Sequence, residues 1–128
     1  MHFQLTAEQR ALREGIRDLL AGRFGRDALR AAVQRPALDR GLWRALGEAG
    51  LFSLCLPESA GGVGLGLAEA AVVFEECGRA LVPGPLVATF LAASRGEVDG
   101  AASGEVVVTA SSGGLVPWLE GADVVRGE

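Results

Sequence analysis

Lysine is absent from this 128-residue chain, and all 12 of its basic side chains are arginine. This absence excludes the lysine of a phosphate-binding P-loop and the amine of a Schiff-base enzyme. The only histidine is His2, so the serines lack a histidine base and a histidine–cysteine metal site is not expected. No apolar run approaches the roughly 20 residues of a membrane span, and the first residues do not resemble a signal peptide. We therefore expect a cytoplasmic protein without a membrane span or a metal.

Cysteine is also scarce, because the chain contains only Cys55 and Cys77. Two cysteines among apolar neighbours do not form a disulfide framework and are typical of reduced core thiols. No side chain that would activate Cys55 as a nucleophile is identified beside it. We interpret both thiols as structural.

The charge is acidic overall, with a formal net charge of −4. Residues 1–50 carry a net +3 and residues 51–128 a net −7, and the basic half mixes its arginines with acids. Arg10, Arg13 and Arg17 share one helical face, with Glu14 beside them. A solvated face with pairs such as Arg10–Glu14 is the simpler interpretation, and a face that contacts a nucleotide or a partner is the alternative. The balance argues against nucleic-acid binding.

Hydrophobic periodicity and capping signals predict five helices. The first has a capping box at Thr6–Gln9, and Asp39 caps the third, which ends at a left-handed Gly50. The predicted spans are 6–24, 27–33, a third helix after Asp39, 67–80 and 86–94. The fourth helix is expected to bury Leu67, Ala71, Phe74 and Cys77. The shared core is predicted to include Ile16, Leu20, Leu46, Phe74 and Phe90.

The remaining segments are predicted to be extended, turns or short strands. Residues 51–58 end at a proline and are too short for a helix, so we expect them to be extended. Residues 95–104 are small and polar and suggest a linker, while 105–110 give the best strand signal and 115–125 a loop with a short strand. The fold class predicted is mainly α, an antiparallel bundle of about five helices with a short C-terminal β segment.

Two motifs suggest chemistry at first sight. The glycines of Gly62–Gly66 have the wrong spacing for a dinucleotide-binding loop and favour a plain turn-forming loop. Glu75 and Glu76 diverge by about 100° on a helix, so they cannot both face one way, and acid/base use is the less favoured alternative. We expect one of these carboxylates to be exposed and the other to pair with an arginine such as Arg79.

The chain resembles the N-terminal helical domain of the flavin-dependent acyl-CoA dehydrogenases, including actinobacterial members. The resemblance covers residues 5 to about 94 and is carried by four blocks in order. They are Leu5-Thr6-Ala7-Glu8-Gln9-Arg10, Trp43-Arg44-Ala45-Leu46-Gly47-Glu48-Ala49-Gly50-Leu51, Leu56-Pro57-Glu58-Ser59-Ala60-Gly61-Gly62-Val63-Gly64 and Glu75-Glu76-Cys77-Gly78-Arg79-Ala80.

The resemblance implies a helical domain over 1–94, a linker over 95–104 and an incomplete middle β domain over 105–128. It assigns a flavin contact to Val108 and Thr109 and an acyl-chain contact to Leu86, Val87, Phe90 and Leu91, with Phe90 or Leu91 limiting chain length. The catalytic glutamate of the family belongs to a C-terminal domain that this sequence does not contain. No catalytic residue and no metal ligand is therefore expected in the chain.

The implied function is α,β-dehydrogenation of an acyl-CoA thioester with FAD, in fatty acid or steroid side-chain degradation. The implied partners are acyl-CoA dehydrogenase-like subunits, in a homo- or hetero-oligomer, and an electron-transfer acceptor. Packing of the fifth helix against other helices is the alternative role for its apolar residues. For the whole chain, the alternatives are a non-catalytic short subunit that pairs with a flavoprotein and a free helical interaction module.

Overall fold

The computed structural model describes residues 4–127, which form two compact units. Unit 1 contains residues 4–35 and Gly66–Val82, and unit 2 contains Pro36–Leu65 and 83–127. His2 lies outside the described residues. The elements are α1 (Ala7–Arg23), α2 (Arg26–Gln34), α3 (Arg40–Glu48), α4 (Leu67–Arg79), α5 (Leu86–Ser94), β1 (Val108–Ala110) and β2 (Val124–Arg126), with 3-10 turns at Glu58–Ala60 and Leu119–Gly121. The predicted fold class, mainly α with five helices and a short C-terminal β segment, is confirmed.

Unit 1 is built on the packing of α1 against α4. The capping box at the start of α1 is confirmed: the Gln9 amide donates to the Thr6 hydroxyl and the Thr6 amide to the Gln9 side chain, each at 3.1 Å. Ile16 and Leu20 are buried from α1, as predicted. α2 contributes no buried residue, and its Val33 is 71% exposed.

The predicted buried face of α4 is confirmed only in part: Cys77 is buried and Phe74 is half-buried, but Leu67 is 75% exposed and Ala71 is exposed. Ala70, Val73 and Glu76 are buried in addition to Cys77. Residues three and four apart share a helix face, so the buried position of Glu76 brings its neighbours at that spacing inward. Hydrophobicity alone favoured the other face, because a glutamate is rarely buried unless it is paired.

Unit 2 is organised around α3, whose amide at Leu42 donates to the capping carboxylate of Asp39 at 3.1 Å. Trp43 and Leu46 are fully buried on this helix, and the Trp43 ring lies 4.9 Å from that of Phe52 between centroids. Gly50 ends the segment in the left-handed conformation, with φ +93°, as predicted.

The expectation that residues 51–58 are extended is wrong. They form turns, closed by hydrogen bonds from the Leu51 amide to the Leu46 carbonyl and from the Leu56 amide to the Ser53 carbonyl. Leu51 and Phe52 are both buried although they are adjacent, which a half-buried strand would not allow. The glycine that ends α3 redirects the chain into the core, so no alternation develops.

The C-terminal strands pair in parallel, with Val108 opposite Val124. The strand predicted over 105–110 begins only at Val108, because the Val107 amide donates to the Asp123 carboxylate at 2.8 Å. Arg40 donates to the same carboxylate at 2.6 and 2.9 Å, which attaches the start of α3 to the segment before β2. Residues 95–104 contain no helix or strand, and Ala101 within them is fully buried.

Candidate active-site cavity

A cavity of about 420 Å³, open to solvent, lies in unit 2 between the first turn of α5 and the end of β1, and its lining residue Val87 is 55% exposed. It is formed where Pro83-Gly84-Pro85 stops the preceding chain and starts α5, because proline fits the beginning of a helix but not its interior. The walls are Gly84, Pro85, Leu86, Val87, Ala88, Thr109, Ala110, Pro117 and Trp118. None of these nine residues carries a charge, so the cavity suits an apolar group.

Trp118 gives the cavity an aromatic wall in a strained backbone conformation. Its φ of 57° and ψ of 29° are left-handed, which is uncommon for a residue that is not glycine. The Thr109 hydroxyl donates to the Pro117 carbonyl at 2.6 Å, and the Gly121 amide donates to the Trp118 carbonyl at 3.1 Å. The first of these bonds holds the segment against β1, and the second closes the turn that follows Trp118. Sequence reasoning did not select Trp118, although an aromatic residue directly after a proline in a loop was the available signal.

Three of the six residues with predicted ligand contacts meet at this cavity. Leu86, Val87 and Thr109 line it. Val108 and Phe90 are instead buried in the interior, and Leu91 is 37% exposed; none of the three is a lining residue. Their ligand roles stay predictions.

The fit of a flavin to these residues is partial. Both backbone polar groups of Val108 are bonded to the Thr89 hydroxyl, so Val108 offers the cavity no polar group. The Thr109 hydroxyl already donates its proton to Pro117 and keeps a lone pair to accept a bond. The walls supply no cation for a pyrophosphate. The rest of a flavin site would have to come from other residues.

A separate charged cluster lies in unit 1, where Arg17 donates from two nitrogens to the Glu76 carboxylate at 2.8 and 3.0 Å. The hydrogen bond from Arg17 outweighs the desolvation of the carboxyl and lowers the pKa of Glu76, and the same bond raises the pKa of Arg17. Burial raises the pKa of the neighbouring Cys77 thiol to about 11, and the charge of Glu76 adds to this. Cys77 is therefore an inert buried thiol, as predicted, whereas Cys55 is only half-buried.

The prediction that one of Glu75 and Glu76 is exposed and the other is paired with an arginine is confirmed, but the main partner of the buried residue is not Arg79. Glu75 is exposed and accepts a 3.0 Å bond from Arg79, while the main partner of Glu76 is Arg17. Among the described ion pairs none joins Arg10 to Glu14, so the simple solvated-face interpretation missed the long-range partner of Arg17.

The glycine-rich loop is a turn-forming loop, as predicted. The amides of Gly62, Val63, Gly64 and Leu65 all donate inward, to backbone carbonyls between Ser53 and Pro57. A Cβ at Gly62 would lie 2.0 Å from the Leu56 carbonyl oxygen, so only glycine fits there. With its amides already bonded, the loop cannot cradle a phosphate.

The part of the chain that the structure describes holds no group of three or more potential metal-ligating side chains. Within the same residues, no helix is both long enough and apolar enough to cross a bilayer.

Comparison with known proteins gives one consistent family. Residues 6–96 match the family described as acyl-CoA dehydrogenase, N-terminal domain. Acyl-CoA dehydrogenase IpdE2 of Mycobacterium tuberculosis is 49% identical over 90 residues, which cover 66% of this chain and 27% of the relative. Benzylmalonyl-CoA dehydrogenase of Aromatoleum aromaticum is 44% identical over 85 residues, which cover 62% of this chain and 21% of the relative.

A solved structure described as a Tcur3481-Tcur3483 steroid ACAD variant superposes with a TM-score of 0.70 and 27% identity, over 94% of this chain and 45% of that one. The chain therefore spans about a quarter of the length of the curated relatives it matches and less than half of the solved one. Sequence and structure agree that the chain belongs to the acyl-CoA dehydrogenase family and corresponds to its N-terminal part.

Proposed function

We propose that this chain is the N-terminal part of an enzyme that dehydrogenates an acyl-CoA thioester between its α and β carbons. Its residues would line the acyl pocket and pack against the rest of the enzyme. The observation that carries the proposal is the uncharged cavity between α5 and β1, which brings together Leu86, Val87 and Thr109. The division into a helical domain over 1–94, a linker over 95–104 and the start of a β domain is part of this proposal.

The cavity walls include no carboxylate and no imidazole. Removal of an α-proton needs such a base, so the catalytic base would be supplied by residues other than these. FAD, when bound, would supply acceptance of the β-hydrogen as hydride. The residues of this chain would orient the acyl group and exclude water from it, and the Thr109 hydroxyl would be the polar side chain of the walls beside Trp118.

The acyl group would be bulky or ring-bearing, in a pathway such as steroid side-chain degradation. The matched solved structure is described as a steroid enzyme, and one curated relative acts on a benzylmalonyl thioester by its name. A cavity of about 420 Å³ with one tryptophan wall suits such a group.

The proposed partners are acyl-CoA dehydrogenase-like subunits, in a homo- or hetero-oligomer, and an electron-transfer acceptor. The description of the solved structure names two products, Tcur3481 and Tcur3483, which favours a hetero-oligomer. The same observation supports the second candidate function, a non-catalytic subunit that pairs with a flavoprotein. A cytoplasmic location stays a prediction.

Acyl binding to the 128-residue chain tests the pocket. We expect phenylacetyl-CoA, whose acyl group bears a ring, to change the tryptophan emission saturably, because Trp118 lines the cavity, and CoA alone to have no effect. Val87→Asp should abolish the change by placing a charge in an apolar wall. Val33→Asp is the matched control, since Val33 is an exposed helical valine of unit 1. Equal loss in both variants, or no response of the wild type, would contradict the proposal.

Flavin retention tests whether the chain forms a cofactor site by itself. After incubation with FAD and removal of free flavin, we expect no visible flavin band on the isolated chain. A stoichiometric, perturbed band would show that the chain forms a complete cofactor site. The proposal that the chain only lines the acyl pocket would then be wrong.

A further inference from the structure

The contact between α5 and β1 depends on one buried side chain. The Thr89 hydroxyl donates to the Val108 carbonyl at 2.8 Å and accepts from the Val108 amide at 3.0 Å. Both residues have no exposed surface. One hydroxyl thus satisfies both backbone groups of Val108.

A neighbouring strand would normally satisfy these two groups. β2 pairs with β1 on one side only, and the two-stranded sheet ends there. On the Val108 side, the short threonine side chain takes the place of a third strand. Because the hydroxyl is attached one carbon from the backbone of α5, the helix is held at a fixed, short distance from β1.

This joint lies next to both walls of the cavity. Leu86, Val87 and Ala88 immediately precede Thr89 on α5, and Thr109 and Ala110 immediately follow Val108 on β1. A shift at the joint therefore moves the two walls relative to each other.

We propose that Thr89 is a positioning residue that sets the width of the acyl cavity and hence the bulk of the acyl group it accepts. The inference rests on the proposed function of that cavity. Thr89 itself does not line the cavity, so its effect on a ligand would be transmitted through the walls.

Thr89→Val is the decisive variant, because valine keeps the shape of threonine and removes both hydrogen bonds. Thr89→Ser keeps the hydroxyl. Ser94→Ala is the matched control, because it removes a hydrogen bond from Ser94 to Phe90 within α5 that does not reach β1.

The measurements are the dissociation constants of octanoyl-CoA and phenylacetyl-CoA for the full chain. We expect Thr89→Val to weaken phenylacetyl-CoA binding about tenfold and to change the ratio of the two constants, because loss of both hydrogen bonds lets the walls shift. Thr89→Ser and Ser94→Ala should stay within about twofold of the wild type. A lower melting temperature with an unchanged ratio would assign Thr89 a purely structural role and overturn the proposal.

Amide exchange and the indole NMR signal of Trp118 provide a readout that needs no ligand. In Thr89→Val we expect the Val108 amide to exchange at least tenfold faster, by the order of one lost hydrogen bond, and the Trp118 signal to shift. If the wild type binds neither thioester, the proposed function fails, and these signals then decide the inference about Thr89 separately. Unchanged signals would overturn it. If Thr89→Val does not fold, Thr89→Cys serves instead, with smaller changes of the same kind expected because a thiol is a weaker partner.

Discussion

At the scale of single residues, the backbone conformations that deviate from the ordinary mark where the chain turns. Leu81 and Trp118 are the residues other than glycine with positive φ among those described. Trp118 has a role at the cavity wall. Leu81 follows the end of α4, where the Leu81 amide donates to the Gly78 carbonyl and the Val82 amide to the Cys77 carbonyl. This pattern is a Schellman motif, whose left-handed position is usually glycine.

Leu81→Gly should therefore stabilise the protein, by about 1 kcal/mol, because glycine adopts φ +59° without steric cost. The side chain is 64% exposed, so little buried surface is lost. Ala80→Gly is the control: Ala80 is right-handed, with φ −81°, and its replacement should destabilise. Urea unfolding measures both, and a loss of stability in Leu81→Gly would contradict the assignment.

At the scale of elements, α3 is held by a close approach that only glycine permits. A Cβ built on Gly47 would lie 2.2 Å from the Ser103 carbonyl oxygen. Gly104, with φ +81°, lies against the backbone of the same helix. Ser103 and Gly104 therefore pack on α3 backbone to backbone, which their small size makes possible.

Gly47→Ala should cost about 2 kcal/mol or more, because the added methyl must displace backbone atoms. Gly15→Ala is the matched control, since Gly15 lies within α1 and a Cβ there meets nothing within 4 Å. Alanine at that position should stabilise by about 0.5–1 kcal/mol through helix propensity. Thermal unfolding of both variants measures their stabilities. If Gly47→Ala were no more destabilising than Gly15→Ala, the close approach of Gly47 to Ser103 would not be tight.

At the scale of the whole molecule, two carboxylates connect distant parts of the sequence. Glu76 joins α4 to Arg17 of α1 in unit 1, and Asp123 joins the segment before β2 to Arg40 of α3 in unit 2. Hydrogen bonds from these arginines, and for Asp123 also from the Val107 amide, lower the pKa of both carboxyl groups below their ordinary values of 4.5 and 3.8.

Stability should consequently fall in acid. The unfolded chain binds protons at these groups more readily than the folded chain, so the stabilisation is complete above about pH 4.5 and is lost as the pH falls through the lowered pKa values. We expect Glu76→Gln to lower stability at neutral pH and to flatten the acid decline. Glu75→Gln, which alters an exposed pair, should do neither. Urea unfolding from pH 7 to pH 3 would show this, and identical curves for the wild type and Glu76→Gln would refute it.

The sequence by itself determined the helices, their caps and the family. Thr6, Asp39, Gly50 and the proline break before α5 act through neighbours within four residues, so local chemistry suffices to locate them. The apolar walls of α5 were selected from a family resemblance, and Leu86 and Val87 do line the cavity.

Tertiary structure alone decided which faces are buried and how the cavity is assembled. Glu76 of α4 is buried because it pairs with Arg17, 59 residues away in the sequence. The turns over 51–58 follow from the burial of adjacent apolar residues. Trp118 is positioned by the bond from the Thr109 hydroxyl to the carbonyl of the preceding Pro117, and Thr89 by its own bond to the Val108 carbonyl. Any residue type could provide such a carbonyl. Contacts of this kind leave no pattern in composition or periodicity, because a backbone partner has no sequence signature.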